Sequence, residues 1–369
     1  MKRFGAPPAE GRYASIDGLR GYLALSVFLS HGCIWYFYLR TGRWEVPPSN
    51  LYTHLGQGSV EVFFMITGFL FFSKLIDART RGIDWLRLFV SRFLRLAPLY
   101  LLAMLLLFLL VAWISGGRLN EPGLKLLGGL ARWLGFTVGG APDLNGIAQT
   151  YTIVAGVMWS LPYEWFFYFS LPVLALAARV TPPLPWLAFG IAGVAGLVLW
   201  QPEILPLLAF LGGIAAAVLI RWEAFRRFAA GRIASFLALG CVAIAVAAYA
   251  SAFSGTPLLL LSAAFVLIAC GNTLFGALVS PVSRTLGEIA YGVYLLHGMA
   301  LFVAFFFILG VREAQEFSPE LHWLAVLGVT PVLVLACFAA FRLIESPAMR
   351  STAAVTARLR AGSTASSTS

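Results

Sequence analysis

Charged residues are scarce in this sequence. Asp, Glu, Lys and Arg make up only 11% of its 369 residues, whereas they form roughly 25% of a typical soluble domain. Hydrophobic residues make up 60%, and the mean hydropathy is +0.85. The composition excludes an ordinary soluble domain and indicates a protein with several membrane-spanning segments.

Cysteine is also rare, and the four cysteines have no spacing typical of a metal site or a disulfide framework. Cys33, Cys241, Cys270 and Cys337 all fall in apolar segments, so we interpret them as small apolar side chains and predict no metal site. A signal-peptide cleavage pattern is absent as well. Residues 1–15 are polar, which predicts a cytoplasmic N-terminal segment followed by a first span that is retained.

Long apolar runs dominate the rest of the chain. Ten runs approach or reach the roughly 17–25 residues that a helix needs to cross a bilayer. We therefore predict an all-α polytopic membrane protein with about ten transmembrane helices. The shorter, glycine-rich run 124–138 predicts a re-entrant or surface helix. The ten runs are 16–38, 58–76, 93–115, 153–178, 185–200, 204–220, 233–252, 257–279, 286–310 and 322–344.

The basic residues divide unevenly between the two sides that ten alternating spans define. Twenty of the 26 Lys and Arg residues fall on the N-terminal side. The positive-inside rule then places both termini in the cytoplasm, and it explains the net charge of +10 better than nucleic-acid binding does. We predict a membrane core over 16–347, a disordered cytoplasmic tail over 348–369, and an outer loop, 116–152, that is functional or disordered.

The first apolar run carries ionisable residues on one helical face. Arg20 and His31 are about 16 Å apart along a helix, and Asp17 lies one turn before Arg20. Ionisable groups inside a membrane span are functional candidates by default. A histidine can take a proton from an alcohol at neutral pH. The alternative is a buried histidine that bonds a backbone carbonyl.

Two acidic residues fall at related depths. Glu61 enters the second run from the outside, at a depth similar to that of His31, and Glu164 lies near mid-membrane among aromatic residues. A carboxylate beside a histidine can fix its tautomer and raise its basicity. Glu61 could instead be an interfacial side chain that reaches to water.

Arg92 and Arg95 lie three residues apart at the start of the third run. Guanidinium groups match phosphate oxygens, so the pair predicts a phosphate site, although any basic loop end could serve as an anchor. For Glu345 we expect a basic partner. For His297 we favour a hydrogen bond between helices over a second base, and we expect His54 and His322, near outer loops, to be solvated.

Six short patterns occur in order along the chain, and together they resemble those of the acyltransferase type 3 family of bacterial integral-membrane acyltransferases. Each pattern is loose by itself, but the order over about 330 residues is specific. The matching residues are Asp17-Gly18-Leu19-Arg20-Gly21 with His31; Gly58 to Leu70; Arg92, Arg95, Pro98 and Tyr100; Trp159, Ser160, Leu161 and Glu164; Leu286, Gly287, Ala290, Tyr291, Tyr294, Leu295 and His297; and Glu345 with Pro347.

The resemblance implies a ten-helix core in the bacterial cytoplasmic membrane that uses a cytoplasmic acyl-CoA, usually acetyl-CoA, as cosubstrate. The acyl group passes to a hydroxyl of an extracytoplasmic or lipid-linked glycan, without a metal. The resemblance also implies that His31 is catalytic. Arg20, Arg92 and Arg95, with Asp17 nearby, would hold the CoA phosphates.

We hypothesise that His31 is a general base for direct transfer and that Glu61 or Glu164 orients it. A covalent acyl-histidine intermediate is the competing version. From other functional classes, intramembrane His, Glu and Arg also suit a proton-coupled transporter or exporter, which would have no need for a cytoplasmic phosphate site. A structural subunit of a glycan-assembly complex is a third alternative.

Overall fold

The computed structural model describes residues 13–366, and the regular elements in this range are helices. A single bridge between Leu144 and Ile147 is the only β-type pairing there. Residues 1–12, and with them most of the predicted N-terminal segment, lie outside the described range. The helices are α1 (Ala14–Thr41), α2 (Asn50–Arg81), α3 (Trp85–Ile114), α4 (Gly123–Leu134), α5 (Ser160–Ala177), α6 (Leu184–Trp200), α7 (Ile204–Leu219), α8 (Glu223–Ala229), α9 (Arg232–Ala248), α10 (Gly255–Ala269), α11 (Pro281–Val303), α12 (Val311–Gln315), α13 (Pro319–Ala340), α14 (Ser346–Arg350) and α15 (Thr352–Ser366).

Each of the ten predicted apolar runs overlaps one of these helices, but 153–178 begins seven residues before α5 and 257–279 continues ten residues past α10. Within the described residues, five helical segments are long and apolar enough to cross a membrane: α1, α2, α3, Pro281–Ile308 and Pro319–Arg350. Helices α7 and α8 make a sixth if their pair, bent by 112°, is counted as one span. Helices α6, α9 and α10 are apolar but shorter. The all-α fold with several possible spans is confirmed, and the number ten stays a prediction.

Helices α1 and α11 pack almost backbone to backbone at one end. A Cβ atom on Gly287 of α11 would lie 2.1 Å from the carbonyl oxygen of Asp17 on α1, so only glycine permits this approach. Further along the same pair of helices, Phe28 and Trp35 of α1 are almost completely buried. This close packing brings the polar residues of the two helices together.

Loop 116–152, which was predicted to lie on the outer side, is ordered and contains short helical elements. Helix α4 lies within it, as the short apolar run predicted. Trp133 is fully buried; its indole nitrogen donates to the carbonyl of Pro142 (2.9 Å), and its own carbonyl accepts from Tyr100 of α3. The burial of Trp133 and its hydrogen bonds thus fix the position of loop 116–152, which has no apolar run long enough to cross a membrane.

The C-terminal tail differs from its prediction. Where disorder was expected over 348–369, helix α15 runs to Ser366 and packs beside α3. Arg360 of α15 forms an ion pair of 2.6 Å with Asp84, which also caps the N-terminus of α3. Low hydrophobicity favoured disorder, but alanine-rich sequence has high helix propensity and the ion pair attaches the helix to the core.

Candidate functional site

Two imidazole rings meet between α1 and α11. Nδ1 of His31 lies 3.1 Å from Nε2 of His297, and the ring centroids are 5.0 Å apart. His297 is fully buried, whereas His31 keeps part of its surface accessible. The hydrogen bond between helices that we favoured for His297 is confirmed, and its partner is the candidate catalytic residue.

The hydrogen bonds assign the tautomer of each ring. Nδ1 of His297 lies 2.8 Å from the carbonyl oxygen of Val293, and a carbonyl oxygen can only accept, so this nitrogen carries a proton. Nδ1 of His31 lies 3.0 Å from the carbonyl oxygen of Val27 and must also be a donor. It therefore donates to Nε2 of His297 as well, and Nε2 of His31 is left with a free lone pair.

A cavity that we call the arginine cavity opens between α1, α2, α3, α5 and α11. It holds about 110 Å³ of water-accessible space. Its polar lining residues are Arg20, Thr67, Arg92, Arg95, Ser160, Glu164, Tyr168, Tyr291 and Tyr294. Three guanidinium groups around one cavity, with one carboxylate among its lining residues, make it a cationic site.

The arginines differ in how they are held. Arg95 forms an ion pair with the buried Glu345 (3.5 Å), which confirms the basic partner expected for Glu345. The guanidinium of Arg92 lies over the ring of Phe71, 5.0 Å from its centroid. Glu164 accepts a hydrogen bond from Tyr168. A guanidinium has five N–H donors, so these contacts leave donors for an anion.

One end of the arginine cavity, at Ser160 and Tyr294, lies near the imidazole pair. There the hydroxyls of Ser160 and Tyr294 share a hydrogen bond of 2.7 Å. His297 lies three residues after Tyr294 on α11, which corresponds to a rise of about 4.5 Å. The ring centroids of the two residues are 6.4 Å apart. Tyr294 therefore brings this end of the cavity close to His297, although neither histidine is among the lining residues.

Trp44 packs against His31, and the segment Thr150–Val154 packs against α11 beside His297. The indole of Trp44 stacks on His31, with centroids 6.2 Å apart and planes 18° apart. A Cβ atom on Gly298, the residue after His297, would lie 2.3 Å from the carbonyl carbon of Val154. The segment can approach α11 this closely only because residue 298 has no side chain.

Several predicted site residues lie apart from His31. Glu164 belongs to the arginine cavity, and Asp17 is an exposed residue outside the cavity lining. Glu61 is completely buried, and neither carboxylate oxygen has a hydrogen-bond partner among the described residues. Its α2 neighbours Gly58 and Met65 contact α10 and α7. Neither glutamate forms a hydrogen bond with His31 among the described residues, so the orienting role stays a prediction, whereas a fully buried Glu61 does not reach water.

The expected solvation of His54 and His322 was wrong. His54 is 6% exposed, and its Nδ1 lies 2.8 Å from the carbonyl of Asn50. His322 is fully buried; its Nε2 donates to the carbonyl of Gly32 (2.7 Å), and its ring stacks on Phe305. Proximity to a loop suggested solvent, but close helix packing around α1 covers both rings.

Comparison with known proteins agrees with this site. Residues 13–342, which include the histidines and the arginine cavity, match the family described as acyltransferase domain, the type 3 family that the motifs resemble. The chain belongs to this family. Acyltransferase MdmB of Streptomyces mycarofaciens is 28% identical to it over 93% of each chain. No solved structure matches the chain. The protein is a multi-pass membrane acyltransferase.

Proposed function

We propose that this acyltransferase moves an acetyl group from cytoplasmic acetyl-CoA to a hydroxyl of an extracytoplasmic or lipid-linked glycan, in a bacterial cytoplasmic membrane. The observation that carries the proposal is the free lone pair of His31 Nε2, together with a cavity that is lined by three arginines and by Tyr294, the ring neighbour of His297. The proposal keeps ten spans and both termini in the cytoplasm, because that topology puts the arginines on the side where acyl-CoA is present.

In this proposal the arginine cavity binds the donor. The guanidinium groups of Arg20, Arg92 and Arg95 bind the CoA phosphates, since bidentate guanidinium–phosphate hydrogen bonds are strong and directional. Arg20 and His31 are about 16 Å apart along α1. The extended arm of CoA can therefore bring its thioester toward His31 while the nucleotide stays on the arginines.

His31 then acts as the general base. Its Nε2 takes the proton of the acceptor hydroxyl while the hydroxyl oxygen attacks the thioester carbonyl. The carbon–sulfur bond breaks, and the CoA thiolate receives the proton from His31, which leaves an ester and free CoA. His297 holds the Nδ1 proton of His31 throughout, and it takes the orienting position that we first assigned to a glutamate.

A covalent acyl-histidine is the competing route, in which His31 Nε2 attacks the thioester itself. Radiolabelled acetyl-CoA supplied without an acceptor separates the two routes. Direct transfer predicts no labelled protein, whereas the covalent route predicts about one label per active enzyme in the first turnover.

The proposal is tested by acetyl-CoA binding and turnover with purified protein. We expect His31→Ala to bind acetyl-CoA without turning it over, and Arg92→Ala/Arg95→Ala to lose binding. Arg43→Ala is the matched control, because Arg43 forms an exposed ion pair with Glu45 away from the cavity. If the wild type has no affinity for acetyl-CoA, or if the control loses binding equally, the phosphate site is wrong.

A further inference from the structure

A second cavity, distinct from the arginine cavity, lies beneath loop 116–152. It has a volume of about 550 Å³, within the range typical of small-molecule sites. We call it the aromatic cavity. Six aromatic side chains line it: Trp133, Tyr151, Trp159, Tyr163, Trp200 and Phe253.

The rings of the aromatic cavity meet mostly edge to face. Tyr163 makes such contacts with Trp159 (5.7 Å between centroids) and Trp200 (5.0 Å), and Trp159 makes another with Phe253 (5.9 Å). Trp159 lines the cavity and is 39% exposed, so part of its flat indole surface is accessible. Flat apolar surfaces of this kind suit the C–H face of a sugar ring.

The charge of the aromatic cavity is opposite to that of the arginine cavity. Glu203 is its only charged lining residue, and no Lys or Arg lines it among the described residues. The hydroxyl of Tyr163 accepts a hydrogen bond from the backbone N–H of Glu203 (3.1 Å) and so holds the turn in place. A carboxylate there accepts hydrogen bonds from sugar hydroxyls and repels an anionic ligand.

The aromatic cavity comes near the imidazole pair through Gly156 and Val154 of its lining. A Cβ atom on Gly156, which lines the cavity, would lie 3.9 Å from the indole nitrogen of Trp44, the ring that stacks on His31. Val154, another lining residue, packs on Gly298 beside His297. One indole ring therefore separates the cavity from the catalytic base.

The two cavities share a wall at the start of α5. Trp159, Pro162 and Tyr163 line the aromatic cavity. Ser160 and Glu164 line the arginine cavity. A single helical turn thus presents one set of side chains to each cavity.

We propose that the aromatic cavity is the acceptor site and that it selects an uncharged sugar ring over an anionic one. The sugar stacks among Trp159, Tyr163 and Trp200, Glu203 accepts from its hydroxyls, and a free hydroxyl reaches His31 past the edge of Trp44. This assignment rests on the proposed acetyl transfer. The bond changes are those given above, with the hydroxyl proton passing to Nε2 of His31.

The test uses two matched probes, p-nitrophenyl β-xyloside and p-nitrophenyl β-glucuronide, which differ by one carboxylate. With labelled acetyl-CoA, we expect the wild type to favour the xyloside about tenfold in kcat/KM, from like-charge repulsion and ring stacking. Glu203→Gln should bring the two probes to within about threefold of each other. Equal use of both probes by the wild type, or an unchanged preference in Glu203→Gln, would overturn the charge selection.

Trp200→Ala tests the stacking. We expect the KM for the xyloside to rise about tenfold, with acetyl-CoA binding and acceptor-free hydrolysis unchanged. Trp113→Ala is the matched control, because Trp113 is 73% exposed and lies outside the cavity. An unchanged KM in Trp200→Ala, or no xyloside transfer by a wild type that hydrolyses acetyl-CoA, contradicts the acceptor site alone. Loss of acetyl-CoA binding by the wild type contradicts the proposed function as well.

Discussion

The arginine cavity and the aromatic cavity are neighbours near one pair of histidines, and they differ in charge, lining and volume. The first carries three guanidinium groups and one carboxylate and holds about 110 Å³. The second has six aromatic rings and a single carboxylate and holds about 550 Å³. Neighbouring sites of opposite charge near one imidazole pair suit a reaction of two chemically different substrates.

The comparison also shows how the protein keeps the two sites apart. The first turn of α5 and the ring of Phe64 stand between them, because Phe64 lines the arginine cavity and contacts Trp159 and Tyr163 of the aromatic cavity. Changes on one side of this wall should therefore affect one substrate, whereas changes at the histidines should affect the chemical step with both bound.

Replacement of His297 should have the largest effect on activity. We expect it to slow the chemical step and to leave substrate binding in both cavities little changed. His297→Ala removes the acceptor of the His31 Nδ1 proton, so we expect kcat to fall roughly 10²-fold with both KM values little changed. His297→Gln, whose amide oxygen can accept the same proton, should recover part of kcat. Steady-state kinetics with acetyl-CoA and a glycoside measure this split. An equal loss in both variants would make the role of His297 one of packing.

Replacement of Gly298 should disturb the acceptor side first. The Cβ of Gly298→Ala would meet the backbone of Val154, which must move, and overpacking of this kind costs about 1–3 kcal/mol. We expect a lower Tm and a larger rise in the KM of the acceptor than of acetyl-CoA. Gly240→Ala is the control, since a Cβ there meets nothing within 4 Å. A rise confined to the KM of acetyl-CoA would contradict the placement of the two sites.

Ionic strength should distinguish the cavities without any mutation. Raising salt from about 0.05 M to about 0.5 M screens the guanidinium–phosphate attraction. We therefore expect acetyl-CoA affinity to fall several-fold, while the KM of an uncharged xyloside changes little. Isothermal titration and initial rates at each salt concentration give the two values. A matched salt dependence of both substrates would argue against a cationic donor site and a separate acceptor site for an uncharged sugar.

Glu61→Gln should have the smallest effect. The Glu61 carboxylate is buried without a hydrogen-bond partner among the described residues. Gln has the same shape but cannot ionise, so the substitution removes the cost of burying a carboxylate charge. We expect an equal or higher Tm and kcat within about twofold of the wild type, because Glu61 does not contact His31. A loss of kcat as large as that of His297→Ala would restore the orienting role predicted for Glu61.

The sequence predicted the relative positions of candidate site residues when these residues belong to the same helix. The spacing of Arg20 and His31 follows from the geometry of α1 alone, and Arg92 and Arg95 share a face of α3 for the same reason. The partner of His31 could not be predicted in this way, because His297 is 266 residues away. Glu61 was predicted as the partner of His31 because the two residues lie at a similar depth in the membrane. Its position around the axis of α2 instead places it on the side that faces α7 and α10.

The sequence by itself determined the membrane class, the helical fold and the acyltransferase family, because composition, apolar run length and short motifs are local properties of the chain. Only the tertiary structure decided which groups meet. The close approach of α1 and α11 at Gly287 sets the imidazole pair and leaves Nε2 of His31 free. The aromatic cavity collects residues from 133 to 253, and distant segments converge only when the helices pack.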